Sequence, residues 1–166
     1  MQLRWYSYAM RIPEQSQASL AVSDDVACSI ERSLMVLGER WSPLILRELH
    51  YGARRFADIR DRLGIASNLL SKRLKALVDA GVVMTAPYRD EGSRVRLEYR
   101  LTEPGVQALI VLGALQQWGD RYLPRQAGPT VVRTRRGTDE ELQVGFVTEG
   151  GELVSLDEVQ MRPTLA

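Results

Sequence analysis

The 166-residue chain contains one cysteine, Cys28, one histidine, His50, and two phenylalanines. A single thiol excludes an internal disulfide framework. A single imidazole at the end of a helical stretch, with no second ligand within reach, reads as a packing or capping residue rather than a metal ligand or an acid–base group. No catalytic set, metal site or cofactor site can be assembled from what remains, so the chain does not read as an enzyme. Apolar runs of about 18 residues, the length needed to span a bilayer, are also missing. The opening "MQLRWYSYAM" lacks the long apolar segment and small-residue cleavage site of a secretory leader. Residues 1–22 are therefore expected to form a poorly ordered N-terminal arm, and the protein to be soluble, cytoplasmic and without membrane partners.

What the chain does have is charge unevenly spread. Its net charge is only +1, yet residues 40–100 carry 13 bases against 7 acids, while 1–39 carry 3 against 5 and 101–166 carry 6 against 9. A basic centre between acidic ends suits a nucleic-acid surface, because phosphate neutralisation supplies most non-specific affinity. A merely solvated surface has the same signature, so the periodicity must decide between them. With 45% hydrophobic residues the chain can bury one real core, enough for one domain plus appendages.

From Asp24 to Leu37, the residues Val26, Ile30, Leu34 and Leu37 recur at helical spacing, with Ser23 available as a cap and Gly38 following. "WSPLILRELHYG" places Ser42 at an N-cap, Pro43 at the first helical position and Gly52 at the end. "RRFADIRDRLG" puts Phe56, Ile59 and Leu63 on one stripe before Gly64, which suits a left-handed cap. Only "IA" separates it from "SNLLSKRLKALVDAG", so the two make a helix, short turn, helix unit. At about 100° per residue, Leu70, Leu74, Leu77 and Val78 share one side of this last helix, and Asn68, Ser71, Lys72 and Lys75 share the other. Asn can pair with adenine, Lys can reach guanine or phosphate, Ser can serve either, and Leu69 beside them can touch a thymine methyl. That is the chemistry of major-groove readout. Three bases, Lys72, Arg73 and Lys75, precede the helix's only acid, Asp79.

After Gly81 the period changes to alternation. "VVMTAPY" and "VRLEYRL" read as strands joined by "RDEGS", with Val95, Leu97, Tyr99 and Leu101 on one face and Arg94, Arg96, Glu98 and Arg100 on the other. Pro87 suits an edge strand and Gly92 the turn. Three helices followed by a basic hairpin make a winged helix of the α+β class, with the helix from Ser67 in the major groove and Arg89, Arg94 and Arg96 near backbone or minor groove. Ser67, Arg73, Arg54 and Arg55 complete the expected DNA-contacting set.

Five segments in order, "CSIERSLMVLGERWSPLILREL", "RRFADI", "LLSKRLKALVDAGVV", "VRLEYRLTEPG" and "LGALQQWG", resemble the HxlR-type winged-helix transcriptional regulators over roughly Cys28 to Gly119. Ser29 departs from the pattern, where the family usually shows proline. The resemblance implies a homodimeric bacterial regulator, most often a repressor, on a pseudo-palindromic operator. It also implies a role for Cys28, which aligns with the cysteine that senses oxidants or electrophiles in some members. Against that stands the ordinary role of a lone cysteine as a small buried hydrophobe. Some members carry C-terminal extensions with His and Cys in a zinc-ribbon-like pattern; here the extension has neither, which argues against a structural zinc.

Thr102 and Pro104 start a helix whose apolar residues, from Val106 through Leu115 and Trp118 to Tyr122, spread round more than one stripe. Either a second copy of the chain or the C-terminal extension must cover the surplus. From Gln126 on, short apolar runs at Val131 to Val132, Leu142 to Val147 and Leu153 to Val154 alternate with polar, Gly-containing turns and read as a small β unit. The expected organisation is an arm over 1–22, a winged-helix DNA-binding and dimerisation domain with added helices over 23–124, and a β-rich extension over 125–166. Two functions fit: a sequence-specific regulator that binds double-stranded DNA as a homodimer, responsive to an electrophile or small ligand, and a winged-helix module whose basic face binds an acidic protein partner.

Overall fold

The first helix among the described residues begins beside the single cysteine. In the computed structural model, which describes residues 27–92 and 94–163, Cys28 is the N-cap of α1 (Ser29–Leu37). Ser23, Val26 and the 1–22 arm lie outside the described residues. The apolar spacing of α1 does not place it in the core: Ile30, Leu34 and Met35 are exposed, and only Val36 and Leu37 are half-buried.

The helix α2 (Trp41–His50) starts one residue ahead of the expected cap, because the Ser42 amide closes a turn onto Glu39 O at 2.8 Å and Arg40 stacks on the Trp41 ring. Ser42 is thus a buried helical residue, and Pro43 is third in the helix, still within the first turn, where a missing N–H costs nothing. In α3 (Phe56–Leu63) the expected left-handed cap is present, with Gly64 at φ +61° and the Ile65 amide reaching back to Arg60 O. Two residues later α4 (Ser67–Asp79) begins.

These helices bury Ile45, Leu46 and Leu49 of α2, Ile59 of α3, and Leu70, Leu74 and Leu77 of α4 against Val83. That residue opens β1 (Val83–Tyr88), antiparallel to β2 (Arg96–Leu101) with Val83 opposite Leu101 and Tyr88 opposite Arg96. The other edge of β2 is tied to the segment before α3: Tyr99 N–H donates to Arg54 O at 2.8 Å, and Arg55 bridges Glu98. Pro87 therefore sits in the outer strand, where its missing donor is harmless.

Thr102 closes the unit. Its hydroxyl donates to Gly81 O at 2.6 Å and accepts from Gly105 N as the N-cap of α5 (Glu103–Gln107). The chain folds past itself so tightly here that a Cβ on Gly105 would lie 1.9 Å from Val82 O. Gly105→Ala is expected to destabilise the protein by about 2–3 kcal/mol through this overlap, although alanine is the better helix former; equilibrium denaturation of the two chains measures it.

The single helix expected after Thr102 is interrupted at Ala108, and α6 (Leu109–Tyr122) follows. From Ile110 the chain forms a second compact unit. Within it, Gln117 exchanges hydrogen bonds of 2.9 Å with the Val144 backbone, Gln116 holds Val131 O and Arg133, and Val144 packs over Gly113. The β unit is slight: β3 (Phe146–Val147) pairs with β4 (Leu153–Val154), a bridge joins Thr134 to Glu141, and a 3-10 turn follows at Leu156–Glu158. Among the described residues no helix is long and apolar enough to cross a membrane.

Candidate nucleic-acid interface

The helix α4 buries its leucine stripe and leaves Ser67, Asn68, Ser71, Lys72 and Lys75 exposed, with Leu69 half-buried beside them. Its N-terminus carries no acid in the first turn and no side-chain cap, so the positive end of the helix dipole is unopposed there, which favours phosphate. Asn68 accepts the Leu69 amide through Oδ1 at 2.8 Å, which leaves its NH2 group for an external acceptor. Lys75 leans on Asp79 at 2.6 Å, an exposed i, i+4 pair that holds it only weakly. No described residue forms an ion pair with Lys72.

Arg73 does not belong to this face. It lies about 140° round the helix from Asn68, its side chain is 17% exposed, and it pairs with Glu39 at 2.7 Å. Any contact of Arg73 with DNA would have to compete with this pair, by which it ties α4 to the α1–α2 connection. Arg54 is likewise engaged within the protein: its guanidinium donates to Leu49 O and Ala53 O and caps the end of α2. Arg55 pairs with Asp90 at 2.6 Å. On the hairpin Arg89, Arg94 and Arg96 are exposed, whereas Arg100 is neutralised by Glu98 at 2.5 Å, so the basic face is narrower than alternation alone indicates.

A model of the HxlR-like helix-turn-helix family matches residues 36–127, more than half of the chain. The chain belongs to that family. It is 39% identical over 136 residues to an uncharacterized HTH-type transcriptional regulator of Mycobacterium tuberculosis, covering 81% of this chain and 85% of the relative. Its fold is similar to that of PA1607, described as a candidate transcription factor, with a TM-score of 0.73, 29% identity, and 84% and 96% of the two chains covered. The transcriptional regulator YodB of B. subtilis, solved in a reduced form, gives 0.51 at 31% identity over 57% and 93%. The protein is thus a DNA-binding transcriptional regulator of helix-turn-helix type.

In this HxlR-like regulator, α3 and α4 are the helix-turn-helix and the hairpin is the wing. Three residues that position these parts escape the sequence reading. Glu48, in α2, is a buried carboxylate held by Arg47 at 2.7 Å and approached by Arg62 of α3 at 3.8 Å, which links the first helix of the motif to the core. Tyr88 and Asp90, on the wing, both engage Arg55. Glu48 could have been found, as an acid inside an otherwise apolar stripe; the partners of Arg55 lie 33 and 35 residues away and carry no local signal.

Proposed function

We propose that this regulator is a repressor that binds a pseudo-palindromic operator as a homodimer, with Asn68, Ser71, Lys72 and Lys75 reading the major groove and Arg94 and Arg96 on the flanking backbone. The observation that carries the reading is the exposed polar and basic face of α4, from which Asp79 takes only the distal lysine. Repression requires no further surface, because two such helices seated on a promoter exclude polymerase by occupancy.

Homodimerisation is supported by two separate apolar stripes. In α1, Ile30, Leu34 and Met35 are 68%, 57% and 60% exposed. In α6, Val111, Leu115, Trp118 and Tyr122 are spaced by alternating fours and threes, fall within about 60° of one another, and remain exposed. The extension packs against Gly113, Gln116 and Gln117, on the opposite side of α6, so it does not cover this seam.

The test is a salt titration of binding to the duplex upstream of the protein's own gene and to a random duplex. Four cations on each of two subunits give a log–log slope of about −7, and the upstream duplex should hold a footprint of two half-sites about one turn apart. A shallow slope with no preference would point instead to an acidic protein partner.

Cys28 is exposed and caps α1, so it is open to attack rather than packed away. Its being a single cysteine restricts the response to an adduct, a mixed disulfide with a small thiol, or a bridge to Cys28 of the other subunit. Each would perturb α1. Diamide or a quinone is expected to release wild type from its operator and leave Cys28→Ser bound; equal responses would rule out Cys28 as the sensor and leave a non-covalent ligand, or none, as the effector.

A further inference from the structure

Arg55 reads from the sequence as one of the DNA-contacting residues, but its surroundings bind it to the protein. Its Nη2 lies 2.6 Å from Asp90 Oδ1, in the turn of the hairpin, and its guanidinium carbon stands 4.7 Å from the centre of the Tyr88 ring. Its backbone bridges Glu98 on β2, and the preceding carbonyl, Arg54 O, accepts from Tyr99. One residue at the N-cap of α3 is thereby tied to β1, to β2 and to the turn between them. Asp90, by its hydrogen bond first and its charge second, pushes the Arg55 guanidinium up from its ordinary value.

Both partners of the ion pair are about half exposed, at 47% and 45%, and a lone pair of that kind contributes little. Here it is joined to a cation–π stack and two main-chain links. The planar guanidinium can serve the carboxylate and the ring together, which a lysine cannot. A two-stranded hairpin is marginal by itself, so without such a tie Arg94 and Arg96 would have to be ordered when DNA binds, at a cost in affinity.

We infer that Arg55, Tyr88 and Asp90 form a latch that fixes the wing against α3, and that Arg55 is a positioning residue for Arg94 and Arg96, not a DNA ligand. The inference rests on the DNA-binding reading above. It has a distinctive sign. By Coulomb's law alone, removing the Asp90 carboxylate from beside a polyanion should tighten binding, whereas loss of the latch loosens it.

The experiment measures fluorescence anisotropy of the full chain with a random-sequence duplex at several salt concentrations. Asp90→Asn and Arg55→Gln are each expected to weaken binding by about three- to fivefold, the double variant by no more than either, as for residues acting as one unit. The salt slope of Asp90→Asn should match wild type, and Arg55→Lys should be as weak as Arg55→Gln. Hydrogen exchange should quicken in the hairpin of Asp90→Asn and stay unchanged in α2 and α4, which separates a loosened wing from a damaged fold. Tighter binding by Asp90→Asn would overturn the latch, and so would a further loss with a slope shallower by about two, one contact from each subunit, when Arg55→Gln is added to it. Wild-type affinity in an Arg94→Gln, Arg96→Gln chain would instead overturn the placement of the wing on DNA, whatever Asp90 does.

Discussion

A chain carrying Lys72→Ala and Lys75→Ala is expected to bind its operator about 30- to 100-fold more weakly than wild type and to unfold at the same temperature. The two effects separate because both side chains are exposed on the face of α4 opposite Leu70, Leu74 and Leu77. Surface substitutions of this kind usually change stability by less than about 0.5 kcal/mol. The proposed dimer loses four lysines, two from each subunit, and about 0.5–0.7 kcal/mol of binding for each exposed contact gives the expected factor. Lys72, which no described residue pairs, should account for the larger part. Lys75 must first leave Asp79, and an exposed i, i+4 pair returns only about 0.3–0.5 kcal/mol of that. Electrophoretic mobility shifts on the upstream duplex, with circular dichroism melting beside them, measure both. Unchanged affinity in a folded double variant would remove α4 from the major groove. Asn68 gives the companion result, since its free amide should select a base: Asn68→Ala should flatten sequence preference more than it lowers affinity for random DNA.

The parts of this interface that were legible in the sequence are those set by local periodicity. The leucines of α4 recur at helical spacing, Gly64 stops α3 where only a left-handed residue fits, and the alternation after Gly81 marks the wing. The direction of each base was less legible, since it depends on acids brought in from elsewhere in the fold. Arg73 is drawn to Glu39 and Arg55 to Asp90, partners 34 and 35 residues distant, and Arg54 is taken up by the open carbonyls at the end of α2. Helical angle alone would have moved Arg73 away from the groove face, because it falls nearer the leucines than Asn68. The break at Ala108 was hidden for another reason. Its amide still makes the helical bond to Pro104 O at 3.0 Å, so the turn there departs only slightly from a helix, and neither proline nor glycine stands at Ala108 to mark it.

Leu115→Glu, on the exposed stripe of α6, is expected to give a monomer in solution and about 100-fold weaker binding to a duplex with both half-sites, with little change for a duplex carrying one. Leu115 is 58% exposed and Trp118 56%, so within the single chain the substitution removes little packing. In the proposed dimer the same residues, Val111, Leu115, Trp118 and Tyr122, would form a seam with heptad-like spacing, where a second copy of the helix would bring like residues together about a two-fold axis. A glutamate there meets its own symmetry mate in a desolvated setting, and the charge opposes association from both sides. The affinity loss follows from linkage. Once one recognition helix is seated, the second binds as if at high local concentration, an advantage of about 10²–10⁴ that vanishes when the subunits separate. Sedimentation velocity reports the mass, and titrations of one- and two-site duplexes report the coupling. Two further substitutions test whether the seam, rather than folding, is responsible. Asp120→Ala, on the side of α6 that faces the extension, should leave the mass unchanged, while Leu34→Glu on α1 asks whether its exposed stripe is also covered by the second copy. A dimeric Leu115→Glu chain with wild-type affinity would place the two-fold axis elsewhere, and the stripe on α1 would then be the next surface to test.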